Sequence, residues 1–314
     1  MFKLPKEESR ALQNSYLTCL RDEYTIIKAS GETLLDYLQG QITQDVHQLT
    51  ENQGIYSAIL TPQGKVVSDL YIIPGHDNEL IIVARKTYAE ALVGRIRNFS
   101  LGHELRIGIV ASLKLISVQG AQIELFLKEH KLPIPAKNHL CVGSEADRET
   151  FIIRMAEAAD DGLWVVTDDL GSLLEKNESI VDESIIHTAR VVKGLPTYGI
   201  DWNEKFFPLN ANLIEFDGVS FEKGCYVGQE VTSRMQWRGG IKKRFYRVEL
   251  ESLPEKLPSP LSTTVEVGSV TSAAMNESGK VVAIAHLPIE IVENQTPLID
   301  PEGDSVQVTG VCHA

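Results

Sequence analysis

Two stretches of this chain share one outline, and a duplicated unit restricts the fold more than composition does. YTIIKASGETLLDYLQ, residues 24–39, is a β-branched run followed by a Ser-Gly helix-start signal and leucines at helical spacing, Leu34, Leu35 and Leu38. LKLISVQGAQIELFLK, residues 113–128, repeats it, with Gly120 in the place of Gly31 and Ile123 and Leu127 in the places of Leu34 and Leu38. Each copy leads on to a strand-then-helix pair, ELIIVARKTYAEALVGRI (79–96) in the first and LWVVTDDLGSLLEKNE (163–178) in the second. Inside the first copy, YSAILTPQGKVVSDLYII (56–73) places two apolar runs around a Pro-Gln-Gly-Lys turn and predicts a β-hairpin. The elements keep no steady βαβ rhythm, so an α+β fold with antiparallel sheets is expected.

Beyond about residue 240 the character changes. RFYRVELE, TTVEVGSVTSA, GKVVAIAHL and DSVQVTG are short Val- and Thr-rich runs separated by Pro, Gly and Asn signals. They predict a small antiparallel β-barrel or sandwich. The expected division is therefore 1–240, built from two related units of about 1–110 and 111–240, and a β-domain over 241–314.

Charge and cysteine usage exclude several classes of function. A formal charge of -13 over 314 residues opposes a non-specific grip on nucleic acid. One local exception is RMQWRGGIKKRFYR, where Arg234, Arg238, Lys242, Lys243, Arg244 and Arg247 occur with no acid among them. It reads either as a solvated face or as a small anion site. Cys19, Cys141, Cys225 and Cys312 are far apart, and neither they nor the scattered histidines have metal-ligand spacing, so reduced thiols and no metal site are expected. No stretch approaches the roughly 18 apolar residues of a membrane helix, and MFKLPKEESR has acids where a presequence would be basic. A cytoplasmic protein is expected.

One cysteine has a conspicuous setting, KGCYVGQE at 223–230. Gly224 and Gly228 permit tight turns and close approach to the sulfur. Lys223 and the basic run beyond Arg234 would favour thiolate at Cys225. Glu230 and Arg234 are spaced to pair on a helix. A buried cysteine beside a packed tyrosine would account for the same letters.

The motif closely resembles the K-G-C-Y-x-G-Q-E signature of the YgfZ-type folate-binding proteins, relatives of the glycine-cleavage aminomethyltransferase that serve in making or maintaining iron-sulfur clusters. LLDYLQGQITQDV (34–46), ILTPQGKVVSDLYI (59–72), RVVKGLPTYGIDW (190–202), FPLNANLIEFDGVSFEKGCYVGQE (207–230) and VGSVTSA with GKVVAIAHL (267–287) follow in that family's order. The resemblance implies two related α+β units and a C-terminal β-barrel around a folate-sized opening. It also implies a tetrahydrofolate-binding accessory protein whose partners are iron-sulfur client enzymes or cluster-assembly proteins, with Cys225 as the required thiol. The folate contacts expected on this reading are Lys223, Tyr226, Gln229, Glu230, Arg234 and Arg238, with Arg234, Arg238 and Lys242–Arg244 available to the glutamate tail.

Departures from the transferases sharpen this expectation. Their R-x-E-x-G segment uses its glutamate to hold the pterin; here the position is Val192. They also lack the Cys-Tyr and Gln-Glu pairs of KGCYVGQE. Both departures favour the YgfZ type over a glycine-cleavage transferase. Against them stands Asp69, which falls where the transferases carry a catalytic aspartate, although an aspartate at a hairpin end also serves as an ordinary turn residue. The alternatives are therefore a folate-dependent aminomethyltransferase using Asp69, or a ligand-sensing scaffold without chemistry.

Overall fold

The computed structural model describes residues 3–136, 142–145, 149–174 and 179–313; Cys141 and the end of the 163–178 segment lie outside them. The first repeat forms β2 (Tyr24–Ser30), α2 (Leu34–Gln39), β3 (Ile55–Leu60), β4 (Val66–Pro74), β5 (Leu80–Arg85), α3 (Lys86–Phe99) and β6 (Arg106–Ile109). The second forms β7 (Lys114–Gln119), α4 (Ile123–Glu129), β8 (Val142–Glu145), β9 (Thr150–Arg154), β10 (Gly162–Thr167) and α5 (Leu170–Leu174). Two N-terminal elements precede them, α1 (Lys6–Asn14) and β1 (Leu17–Leu20), and α6 (Glu183–Lys193) follows.

The two sheets have the same topology, β3-β4-β5-β2-β6 and β8-β9-β10-β7-β1, with antiparallel pairing throughout. The edge position that β6 fills in the first sheet is filled in the second by β1, so the N-terminal strand crosses to the other unit. The duplicated glycines explain why both edges fit. Gly31 has φ +139 and a Cβ there would lie 2.1 Å from the Glu104 carbonyl oxygen; Gly120 has φ +140 and its Cβ would lie 2.4 Å from that of Ser15. Each glycine lets the chain leave its strand against the segment that leads into the edge strand.

Strand alternation builds one shared core. In β5, Leu80, Ile82 and Ala84 face outward onto Leu92 and Ile96 of α3, whereas Ile81 and Val83 face inward. The inward set of the first sheet, with Ile26, Ala58 and Ile73, meets Leu115, Ile153 and Trp164 of the second in one cluster. The other face of the second sheet buries Ile116, Val118, Ile152 and Val165 against Phe126 and Leu127 of α4.

The C-terminal strands β11 (Lys243–Leu250), β12 (Ser259–Ser262), β13 (Glu266–Met275), β14 (Val281–Pro288), β15 (Leu298–Ile299) and β16 (Ser305–Val311) close into an antiparallel barrel of order β11-β14-β13-β12-β15-β16. The fold is thus the expected α+β arrangement with a C-terminal barrel. Asn212, wholly buried at φ 60, ties the barrel to the preceding segment: its amide donates to the carbonyls of Phe245 and Cys312 at 3.0 and 2.8 Å, and its oxygen accepts from the Phe245 amide at 2.8 Å. Such reciprocal bonds satisfy barrel groups that the ladder leaves open.

Candidate functional site: a central cavity and a separate thiol loop

Where the two inward faces, α6 and the barrel meet, they leave a cavity of about 460 Å³. Strand parity decides what lines it. Tyr24, Tyr56, Asp69 and Tyr71 follow the inward alternation of β2, β3 and β4, and all four reach the cavity. Their rings form a connected wall, Tyr56 to Tyr71 at 4.7 Å and Tyr71 to Trp164 at 4.8 Å between centroids. Trp202 and Phe216 add apolar surface from the segment between α6 and the barrel.

Asp69 is not at the hairpin turn. It stands within β4 opposite Ala58, 7% exposed, and its Oδ2 accepts the Tyr56 hydroxyl at 3.1 Å. Burial raises its carboxyl to about 6, against the opposing pull of the Arg85 guanidinium and the Tyr56 hydrogen bond. A carboxyl poised there can exchange a proton near neutral pH. Other acids on the lining are engaged: Glu157 accepts from Arg21 and Ser117, and Asp160 lies 3.8 Å from the Lys193 ammonium.

Cations reach the cavity from residues that the motif did not indicate: Arg154, Arg190, Lys193 and Arg247. Arg190 is held by Asp201 at 2.8 Å and Arg154 by Asp161, while the exposed Arg247 stands with its stem on Gly194, where an added Cβ would lie 2.2 Å from it. Arg190 also lines a second cavity of about 560 Å³ between α6 and the barrel, where Asp201 already accepts from Arg190, Thr271 and Ser272.

The KGCYVGQE loop lies apart from these walls; none of its residues lines the central cavity. The Lys223 ammonium turns inward and donates to the carbonyls of Ile42 and Gln44 at 2.9 and 2.8 Å, and burial lowers its pKa to about 8. It staples the loop to the first unit, so it is not aimed at the thiol. Tyr226 is 6% exposed and packs in the shared core. The space expected at Gly228 is absent: at φ +84 its Cβ would lie 2.7 Å from the Thr61 carbonyl oxygen, in the turn between β3 and β4. Gly224 does face open space.

Gln229 begins α7 (Gln229–Arg234) and donates to the Gly224 carbonyl at 3.3 Å; Glu230 and Arg234 pair at 3.0 Å on the surface. Arg238 is exposed on the π-helical turn that follows. The basic run is broken up, with Arg244 paired to Glu215 at 3.0 Å and Lys243 donating to the Val267 carbonyl at 2.9 Å. Of that run, only Arg247 reaches the cavity.

Cys225 is exposed, whereas Cys19 and Cys312 are buried. Burial pushes the Cys19 thiol up to about 12 and Cys312 higher still. Among the described cysteines, Cys225 is the one positioned to react with a molecule in solution.

Glu23, Glu183 and His187 offer ligand atoms within 4.8 Å of one another. Their bonding does not suit a cation. Arg190 Nε donates to His187 Nδ1 at 3.4 Å, which leaves the proton on Nε2, and Arg21 already pairs with Glu23 at 2.6 Å. Glu183 is raised by its hydrogen bond to Glu23, as for two carboxyls sharing one proton.

The architecture is that of an aminomethyltransferase. The glycine cleavage system aminomethyltransferase T from Bartonella henselae superposes with a TM-score of 0.85, covering 98% of this chain and 88% of that one, at 18% identity. No family model matches the sequence. The tRNA-modifying protein YgfZ of Hamiltonella defensa is 27% identical over 248 residues, 74% of this chain and 70% of that protein. The protein of the same name from Escherichia coli is 26% identical over 299 residues, 91% and 86% of the two chains. The chain is a homologue of the YgfZ proteins built on the aminomethyltransferase fold.

Proposed function

We propose that this protein binds a reduced folate in the central cavity and assists iron-sulfur proteins, with Cys225 as the thiol presented to the client. The observation behind the folate half is the cavity itself. Its volume of about 460 Å³ lies within the roughly 300–1,000 Å³ of small-molecule sites. Tyr24, Tyr71, Trp202 and Phe216 would flank the pterin and benzoyl rings, Asp69 would meet a ring N–H, and Arg247 at the mouth would face the glutamate tail. A bound reduced folate supplies one-carbon chemistry at its ring nitrogens. Val192 offers no carboxylate, which leaves Asp69 as the acid for that purpose.

The thiol half is supported by the position of Cys225, exposed on a loop fixed to the first unit and separate from the cavity. A single thiolate cannot hold a cluster that needs about four ligands, so a role at an interface fits better than a resident cluster. The relatives are named tRNA-modifying proteins. With a charge of -13, this chain would support an enzyme acting on tRNA rather than grip the polymer itself.

Replacing Cys225 with Ser tests this half. The variant should melt with the wild type and fail to restore iron-sulfur enzyme activity in a strain lacking the protein. Full restoration would remove Cys225 from the reading. A second reading, a folate-dependent transferase, is favoured by the buried Asp69 carboxyl at about 6. It requires methylene-tetrahydrofolate to form from an aminomethyl donor, with a large loss of rate in Asp69→Asn.

A further inference from the structure

Trp237 is 70% exposed on the π-helical turn Met235–Gly239 that follows α7. The turn is anchored from within: Met235 packs against the shared core, and the Trp237 ring meets Phe221 edge-on with centroids 5.9 Å apart. π-turns are rare and concentrate at functional sites. A large aromatic held in water on a fixed backbone forgoes burial that a partner would supply. Phe221 opens the thiol loop, and the four residues from it to Cys225 span at most about 14 Å. That loop is fixed by Lys223, by the Val227 amide on the Gly40 carbonyl at 3.1 Å, and by Val231 against Gly64 of the hairpin turn. Trp237 and the exposed thiol therefore fall within one interface footprint, roughly 30 Å across for a complex of standard size.

Charge indicates what covers this surface. Arg234 is paired with Glu230, but Arg238 and Lys242, exposed on either side of the Gly239-Gly240 pair, meet no acid among the described residues. We infer that Trp237, Arg238 and Lys242 form the docking surface for a protein partner with an acidic face, and that this contact brings the partner to Cys225. The inference rests on the client reading above. Trp and Arg are the side chains that most often carry the binding energy of a protein interface. Trp237 would fill an apolar pocket on the partner, and the two cations would steer and register its carboxylates around that pocket. A nucleic acid fits less well: two free cations, set against the exposed Glu222 and a chain charge of -13, fall short of the several phosphate contacts that hold such a polymer.

The test expresses Trp237→Ser, the double variant Arg238→Glu with Lys242→Glu, and its charge-conserving counterpart Arg238→Lys with Lys242→Arg in a strain lacking the protein, beside Cys225→Ser. Trp237→Ser and the charge reversal should restore about a tenth of the wild-type iron-sulfur enzyme activity or less, the weakening expected when an interface anchor is lost. The charge-conserving variant should restore most of it. As purified proteins, all three surface variants should keep the wild-type melting temperature and the wild-type rate of Cys225 alkylation by the neutral reagent iodoacetamide, which separates docking from folding and from thiol chemistry. Full restoration by Cys225→Ser removes the client reading itself. Failure of Cys225→Ser with full restoration by Trp237→Ser overturns the docking surface alone, and full restoration by the charge reversal overturns the acidic partner. Two further results would also overturn the inference: a gel shift of purified tRNA at physiological salt that Trp237→Ser abolishes, which assigns the surface to nucleic acid, or a wild-type dimer in sedimentation that Trp237→Ser dissociates, which assigns it to a second copy of this chain.

Discussion

Tyr56 and Asp69 sit on neighbouring strands of the first sheet, and the phenol donates to the carboxylate at 3.1 Å on the face turned to the cavity. The pair is diagonal in register, since Tyr56 lies opposite Tyr71 and Asp69 opposite Ala58. An aromatic hydroxyl is thereby fixed beside an acid that burial keeps partly protonated.

The first prediction follows from that acid. Its folded pKa of about 6 lies above the ordinary value, so the folded state holds the proton more tightly than the unfolded chain. The associated stability is present below about pH 4 and is lost as pH rises through 6. Asp69→Asn has no such loss. Relative to wild type, the ligand-free variant should gain roughly 3 kcal/mol between pH 4 and 7 and remain level above that. Urea unfolding of both proteins across this range measures it; a difference independent of pH would contradict the assignment.

Lys223 is predicted to matter for stability and not for the ligand. Lys223→Met leaves the Ile42 and Gln44 carbonyls without their buried donor, a loss of roughly 2–3 kcal/mol. Tetrahydrofolate affinity should be retained. Calorimetry on the variant, paired with urea unfolding, checks both. Unchanged stability with lost affinity would show that the ammonium serves the folate instead.

The duplication, the hairpin and the barrel were legible because each rests on local periodicity. The pairing of Gly31 with Gly120 was equally visible, and it marks two backbone approaches of the same kind. The crossing of β1 into the second sheet left no local trace, since edge pairing is a long-range choice. The cavity was only partly legible. Asp69 was found through resemblance, but Tyr24, Tyr56 and Tyr71 become neighbours only when strand register is known. Their signal was the period-2 alternation of each strand, which fixes a face without saying what that face meets.

The motif misled where side-chain direction decides the role. Lys223 next to Cys225 reads as a cation for the thiol, yet its stem carries the charge into the protein. Gly228 reads as open space, yet its missing Cβ admits the Thr61 carbonyl. A run of cations reads as one patch, yet strand alternation and local acids distribute Arg234, Lys243, Arg244 and Arg247 among separate contacts.

Calorimetric titration of tetrahydrofolate into the purified wild-type protein tests the central claim most directly. The account predicts saturable binding to one site, tighter for the polyglutamylated ligand, with the tail's advantage reduced by salt and abolished in Arg247→Ala. No saturable heat with either ligand, under conditions where the protein is folded, would contradict it.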